Sequence, residues 1–111
     1  MAKPLISSAV KAGNLLFLSG MTGEGEDTET QIRSVFEKIR KTLEEAGSCM
    51  EKVVAATVYL TDLNDRPEYL NPVWREYFPE NPPTRTCVQA GLSPPMKVEI
   101  TVTALIPEER F

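Results

Sequence analysis

The residues of this chain best suited to chemistry lie between Asn81 and Ile100, in the run Asn-Pro-Pro-Thr-Arg-Thr-Cys-Val-Gln-Ala-Gly-Leu-Ser-Pro-Pro-Met-Lys-Val-Glu-Ile. Arg85 can clamp a carboxylate or a phosphate, because a planar guanidinium offers two parallel N–H donors. It also reads as a solvated strand arginine. Glu99 can hold or activate a water, and reads equally as an ion-pair partner of Lys97 or of a cross-strand base. Cys87 is either an inert, partly buried thiol or a nucleophile. The Ser19-Gly20 corner can present backbone N–H groups to an anion, although many glycine corners bind nothing. Trp74, Tyr77 and Phe78 read as core.

The chemistry that is missing narrows the field. The 111 residues include no histidine. That removes Ser-His-Asp and Cys-His catalysis and every histidine-based zinc site. Cys49 and Cys87 form no C-x-x-C pair and read as reduced thiols of a cytoplasmic protein. The net charge is −4 with its basic residues scattered, which argues against nucleic acid as a partner. No apolar run approaches ~20 residues, so no membrane span is expected. The N-terminus has no basic region leading into an apolar one, so no secretory signal is expected.

The elements that must position these residues follow from pattern. The chain length suits one domain over residues 1–111. Leu5 to Val10 reads as an edge strand, and Gly13-Asn14 as the turn of a hairpin into Leu15–Leu18. Met21 to Glu26 reads as a loop. Thr28-x-x-Gln31 fits a capping box, followed at helical spacing by Ile32, Val35, Phe36, Ile39 and Leu43, with Gly47 closing the helix. Val53 to Leu60 is a strand with Val54, Ala56, Val58 and Leu60 on its apolar face. Pro67 starts a second helix whose stripe is Leu70, Val73, Trp74, Tyr77 and Phe78. Thr84 to Ala90 and Val98 to Ile106 are strands joined by the Gly91–Pro95 loop.

Strand side chains alternate between faces. Arg85, Cys87 and Gln89 therefore share one face, and Lys97, Glu99, Thr101 and Thr103 share one face of the last strand. If the apolar faces meet one core, Arg85 and Glu99 stand together on the polar face. Two helices can cover only one face of such a sheet. The other face is too mixed for solvent alone and suits a second subunit.

Together these segments resemble the reactive intermediate/imine deaminase (Rid, YjgF-type) family, also labelled L-PSP endoribonuclease-like, almost from end to end. The resemblance rests on Ser8-Ala9-Val10-Lys11-Ala12-Gly13-Asn14, Phe17-Leu18-Ser19-Gly20, Asp62-Leu63, Asn71, Pro83-Thr84-Arg85-Thr86-Cys87-Val88 and Val98-Glu99-Ile100. It implies a chorismate-mutase-like α+β fold, a mixed sheet with two helices on one face. It also implies a homotrimer with ligand clefts between subunits. The implied activity is hydrolysis of 2-imino or 2-enamino acids to 2-keto acids and ammonia, without metal or organic cofactor. In that picture Arg85 grips the substrate carboxylate and Glu99 positions the attacking water. Ser19, the backbone at Gly20 and Cys87, and nearby Asn71 complete the pocket.

The chain departs from the family at one place. Pro4-Leu5-Ile6-Ser7-Ser8 stands where imine deaminases usually carry Gly-Pro-Tyr-Ser-Gln, so Ile6 replaces the tyrosine that lines the site. Carboxylate binding is expected to survive this change and turnover to be slow. A non-catalytic carboxylate-binding or regulatory trimer is the alternative, and an endoribonuclease or translation inhibitor a further one.

Overall fold

The computed structural model describes residues 3–107. Strands β1 (Ala9–Ala12) and β2 (Leu15–Leu18) form a hairpin in the register Ala9↔Leu18 to Ala12↔Leu15. Gly13 at its turn has φ +61, a conformation glycine adopts without a Cβ penalty. The first strand begins later than the sequence suggests. Leu5 is fully exposed and Ile6 is 75% exposed, and the chain bends there instead of pairing. The stretch expected to be a loop contains a two-residue strand, β3 (Met21–Thr22), paired with the last strand through Met21↔Ile100 and Thr22↔Glu99.

Helix α1 spans Thr28–Glu45. Its N-cap is Asp27, whose carboxylate accepts the Thr30 N–H at 2.8 Å and is held below the usual carboxylate range by that bond. The expected capping box is not formed, because Gln31 has other work. It is 2% exposed; its amide donates to the Gly25 and Pro95 carbonyls, both at 3.0 Å, and its oxygen accepts the Lys97 N–H at 2.8 Å. One buried side chain thus ties α1 to the loop before it and to the start of the last strand. At the other end Gly47 has φ +88, with Gly47 N–H donating to Glu44 and Ser48 N–H to Leu43. That is the Schellman arrangement foreseen from Gly47.

Strand β4 (Val53–Leu60) follows a short 3-10 turn, Met50–Lys52. A register slip between Val53 and Ala55 turns Val54 out to 38% exposure, so Val53, Ala56, Val58 and Leu60 face the core. The expected place of Val54 on that face is therefore corrected by a β-bulge. A π-helical turn, Arg66–Leu70, runs directly into α2 (Asn71–Tyr77). Strands β5 (Thr84–Gln89) and β6 (Val98–Leu105) complete the chain.

The sheet order is β1-β2-β6-β4-β5, with β3 continuing the ladder of β2 along β6. β4 pairs antiparallel with β6 and parallel with β5. Both helices pack on one face. Phe36 lies at the centre, stacked on Tyr77 at 4.7 Å and edge-on to Trp74 and Phe78 at 6.0 and 5.8 Å. Burying each such ring or aliphatic side chain contributes about 1.5–3 kcal/mol. The architecture is the α+β sheet with two helices on one face that the patterning implied. No helix among the described residues is long and apolar enough to cross a membrane.

The Gln31 contacts give a direct test of what holds the two loops to α1. Gln31→Leu leaves two carbonyls and one N–H without their partner, which costs about 2–3 kcal/mol. The expected result is a lower urea midpoint with an unchanged slope; an unmoved midpoint would mean that water replaces the amide at no cost.

Candidate functional site

The register of β5 on β4 decides where the arginine goes. Arg85 pairs with Ala56 and Cys87 with Val58. Paired residues point the same way, and Ala56 and Val58 face the core, so Arg85 and Cys87 project toward the helices. At this edge of the sheet Arg85 meets α2. Its Nη1 donates to Asn71 Oδ1 at 2.9 Å, and its guanidinium lies 4.9 Å from the centre of the Trp74 ring. A hydrogen bond and a cation–π contact together restrict a long side chain that would otherwise be mobile. Asn71, Trp74 and Arg75 are spaced i, i+3 and i+4 on α2, so they share one helix face. With Arg85 they line a shallow depression of about 220 Å³. Arg85 forms no ion pair among the described residues. Its fork is oriented but carries no internal carboxylate.

Cys87 lies half-buried beside this arginine and packs against the core. Burial pushes its thiol up, partly offset by Arg85 and Arg66. A raised thiol stays protonated near neutrality, which does not suit a nucleophile.

Glu99 lies elsewhere. Its neighbours Val98 and Ile100 are fully buried, so Glu99 points to the helix-free face, where it pairs with Tyr59 and Thr22. From Phe17 to Met21 is four residue steps, opposite three from Thr103 to Ile100. The extra residue makes a bulge at Ser19-Gly20 between β2 and β3. Ser19 anchors it: its N–H donates to the Ser8 carbonyl at 3.0 Å and its hydroxyl to the Ser7 carbonyl at 2.6 Å. Gly20 sits against the Glu99 carboxylate, where a Cβ would lie 2.6 Å from Oε2 and 3.1 Å from Thr101 Oγ1. Exposed Ile6 directly precedes Ser7, so the bulge tethers the chain next to Ile6.

The expected pairing of Arg85 with Glu99 on one polar face is thus corrected. Arg85 and Cys87 lie on the helix-covered face and Glu99, Thr101 and Thr103 on the other, with β4 between. The two strands share no hydrogen bonds, and β5 turns Thr84, Thr86 and Val88 outward, against its apparent pattern. One chain therefore brings Arg85, Asn71 and Cys87 together, and separately Ser19, Gly20 and Glu99. Trp74 and Arg75 were missed as site residues. Their spacing from Asn71 was the available signal.

Fold and site together define a small α+β protein with an oriented arginine fork on one side of its sheet and a glycine-backed carboxylate on the other. The chain matches the family described as Endoribonuclease L-PSP over residues 2–106. A RutC family protein of Pyrococcus abyssi is 42% identical over 96 residues, covering 79% of this chain and 75% of the relative. The 3-aminoacrylate deaminase RutC of Acinetobacter baylyi is 37% identical over 105 residues, covering 86% and 82%. The crystal structure of a YjgF family member from Neisseria meningitidis matches with a TM-score of 0.89 at 38% identity, over 97% of this chain and 92% of that one. RidA from an Antarctic Psychrobacter matches at 0.87 and 35%, over 96% and 92%. This chain belongs to the Rid/YjgF family.

The space behind Gly20 can be probed by adding one carbon. Gly20 does not need a positive φ, and the nearest obstacle is the far end of a flexible side chain. Gly20→Ala is expected to fold with a loss below about 1 kcal/mol, with the Glu99 carboxylate swung away. A crystal structure of the variant with Glu99 unmoved would contradict this account.

Proposed function

We propose that this protein hydrolyses small 2-imino or 2-enamino acids to 2-keto acids and ammonia. The observation that carries the reading is Arg85, oriented by Asn71 and Trp74 and left without a carboxylate of its own. A bidentate arginine is suited to a substrate carboxylate. The printed name of the Acinetobacter relative, a deaminase of an aminoacrylate, agrees with this substrate class. Water adds its oxygen to C2 of the imine while the nitrogen takes up a proton. The carbinolamine then loses ammonia as the C–N bond breaks and the C2 hydroxyl gives up its proton. An enamine first takes a proton on carbon and gives one up from nitrogen to become the imine. Glu99 orients the water and accepts its proton. The groups assigned are protein side chains, backbone and water.

Because Arg85 and Glu99 face opposite ways, we assign them to a cleft between two copies, within a homotrimer. Support comes from the helix-free face. Val10 is 53%, Phe17 44% and Val88 40% exposed, around a polar band of Thr57, Thr101 and Thr103. Apolar groups of this size on one face suit burial against another copy. The free thiols of Cys49 and Cys87 fit the proposed cytoplasmic setting. A net charge of −4 gives RNA no electrostatic attraction. A second reading, carboxylate binding with little turnover, is favoured by Ile6, an exposed apolar residue with no acid–base group, next to the segment that Ser19 fastens.

Calorimetry with 2-ketobutyrate tests the clamp. Arg85→Ala should abolish binding, and Arg85→Lys should weaken it by about tenfold or more, since an ammonium cannot supply two parallel donors. Undiminished binding by Arg85→Ala would place the site elsewhere.

The shared cleft predicts complementation. Arg85→Ala and Glu99→Gln chains, each inactive alone, should regain part of the activity when co-assembled, because some clefts then combine an intact Arg85 with an intact Glu99. Light scattering should give a trimer mass. A stable monomer at micromolar concentration, or mixed trimers as inactive as their parents, would sink the shared cleft.

Ile6 separates catalysis from binding. Ile6→Tyr restores a phenol, and a positioned acid–base group contributes about 10²- to 10⁴-fold. The deamination rate should rise with little change in 2-ketobutyrate affinity. A folded, trimeric variant with no gain would remove position 6 from the chemistry.

A further inference from the structure

The described arginines fall into two groups. Those on α1 are ion-paired: Arg33 with Glu29 and Glu76, Arg40 with Glu37 and Glu44. Arg66, Arg75 and Arg85 form no ion pair among the described residues. Two of these share one place. Arg75 and Arg85 line the same 220 Å³ depression with Asn71 and Trp74. In a chain of net charge −4, uncompensated cations have been left together at one place. Two guanidiniums beside one small depression repel each other until an anion joins them. One carboxylate occupies the Arg85 fork and leaves Arg75 without a partner.

We infer that the preferred substrate carries a second carboxylate, and that the site takes the imine of an acidic amino acid. The inference rests on the reading of Arg85 as the clamp for the C1 carboxylate. The distal carboxylate goes to Arg75, whose position four residues after Asn71 brings it to the same helix face. A depression of this volume equals on the order of seven waters of liquid. That is room for the two carboxylates of a short dicarboxylate beside Arg75 and Arg85. Arg75 is exposed, so its contribution is partly screened and falls as salt rises. Arg75 is thus a specificity-determining residue outside the bond-breaking step.

The test is the ratio of two affinities, measured by calorimetry on the intact protein at low salt. Oxaloacetate and 2-oxoglutarate are the dicarboxylate probes and 2-ketobutyrate the monocarboxylate. The wild type is expected to favour the dicarboxylates by about tenfold or more, the worth of one charge-assisted hydrogen bond. Arg75→Gln should bring that ratio toward one, and Arg75→Lys should restore part of it. A merely structural role for Arg75 would lower both affinities together and leave the ratio where it was, which overturns the inference. So does a wild type with no preference. If 2-ketobutyrate still binds through Arg85 in that case, the clamp stands and only the second carboxylate is wrong. If neither acid depends on Arg85, the clamp reading fails as well.

Discussion

The parallel ladder between β4 and β5 determines more of this protein than any other contact. Its register, Ala56↔Arg85 and Val58↔Cys87, sends the arginine toward α2. A shift of one residue would turn Arg85 to the helix-free face and Thr86 toward Trp74. The hydrogen bond to Asn71 and the contact with the indole ring exist only in the observed register. The same central strand pairs on its other side with β6, where Tyr59↔Glu99 places the carboxylate on the far face. β4 therefore holds the two candidate charges, Arg85 and Glu99, on opposite faces of the sheet.

Rigidity on the Glu99 side comes from a local irregularity. The extra residue at Ser19-Gly20 interrupts one ladder and starts another, β3 on β6. Ser19 uses both its N–H and its hydroxyl to fasten the residues before β1. Gly20 suits the place by closeness, since its missing side chain leaves the Glu99 carboxylate where it is. A bulge next to a charged group re-aims backbone that a regular ladder would have consumed.

Charge is distributed with the same division. Along α1, arginines face glutamates at i+3, i+4 and across to α2, a solvated arrangement of modest energetic value. Around Asn71 the Arg85 guanidinium meets an amide and an aromatic ring, neither of which neutralises it. A polar neutral partner orients an arginine without occupying it.

The residues alone determined the helix α1, its Gly47 terminus, the Gly13-Asn14 turn, β4 and the family, and they nominated six candidate site residues. Those features are local: periodicity, a glycine where φ is positive, and a motif in fixed order. What the tertiary structure decided was partnership and facing. Thr28 and Gln31 have the spacing of a capping box, yet Gln31 is drawn into the core by two loops and by the Lys97 N–H. Val54 matches the period of its strand, yet a bulge turns it outward. Arg85 and Glu99 share a parity within their own strands, and parity says nothing about whether β5 lies beside β6 or across β4. That choice rests on which backbone ladders form between distant segments, and sequence spacing carries no record of it.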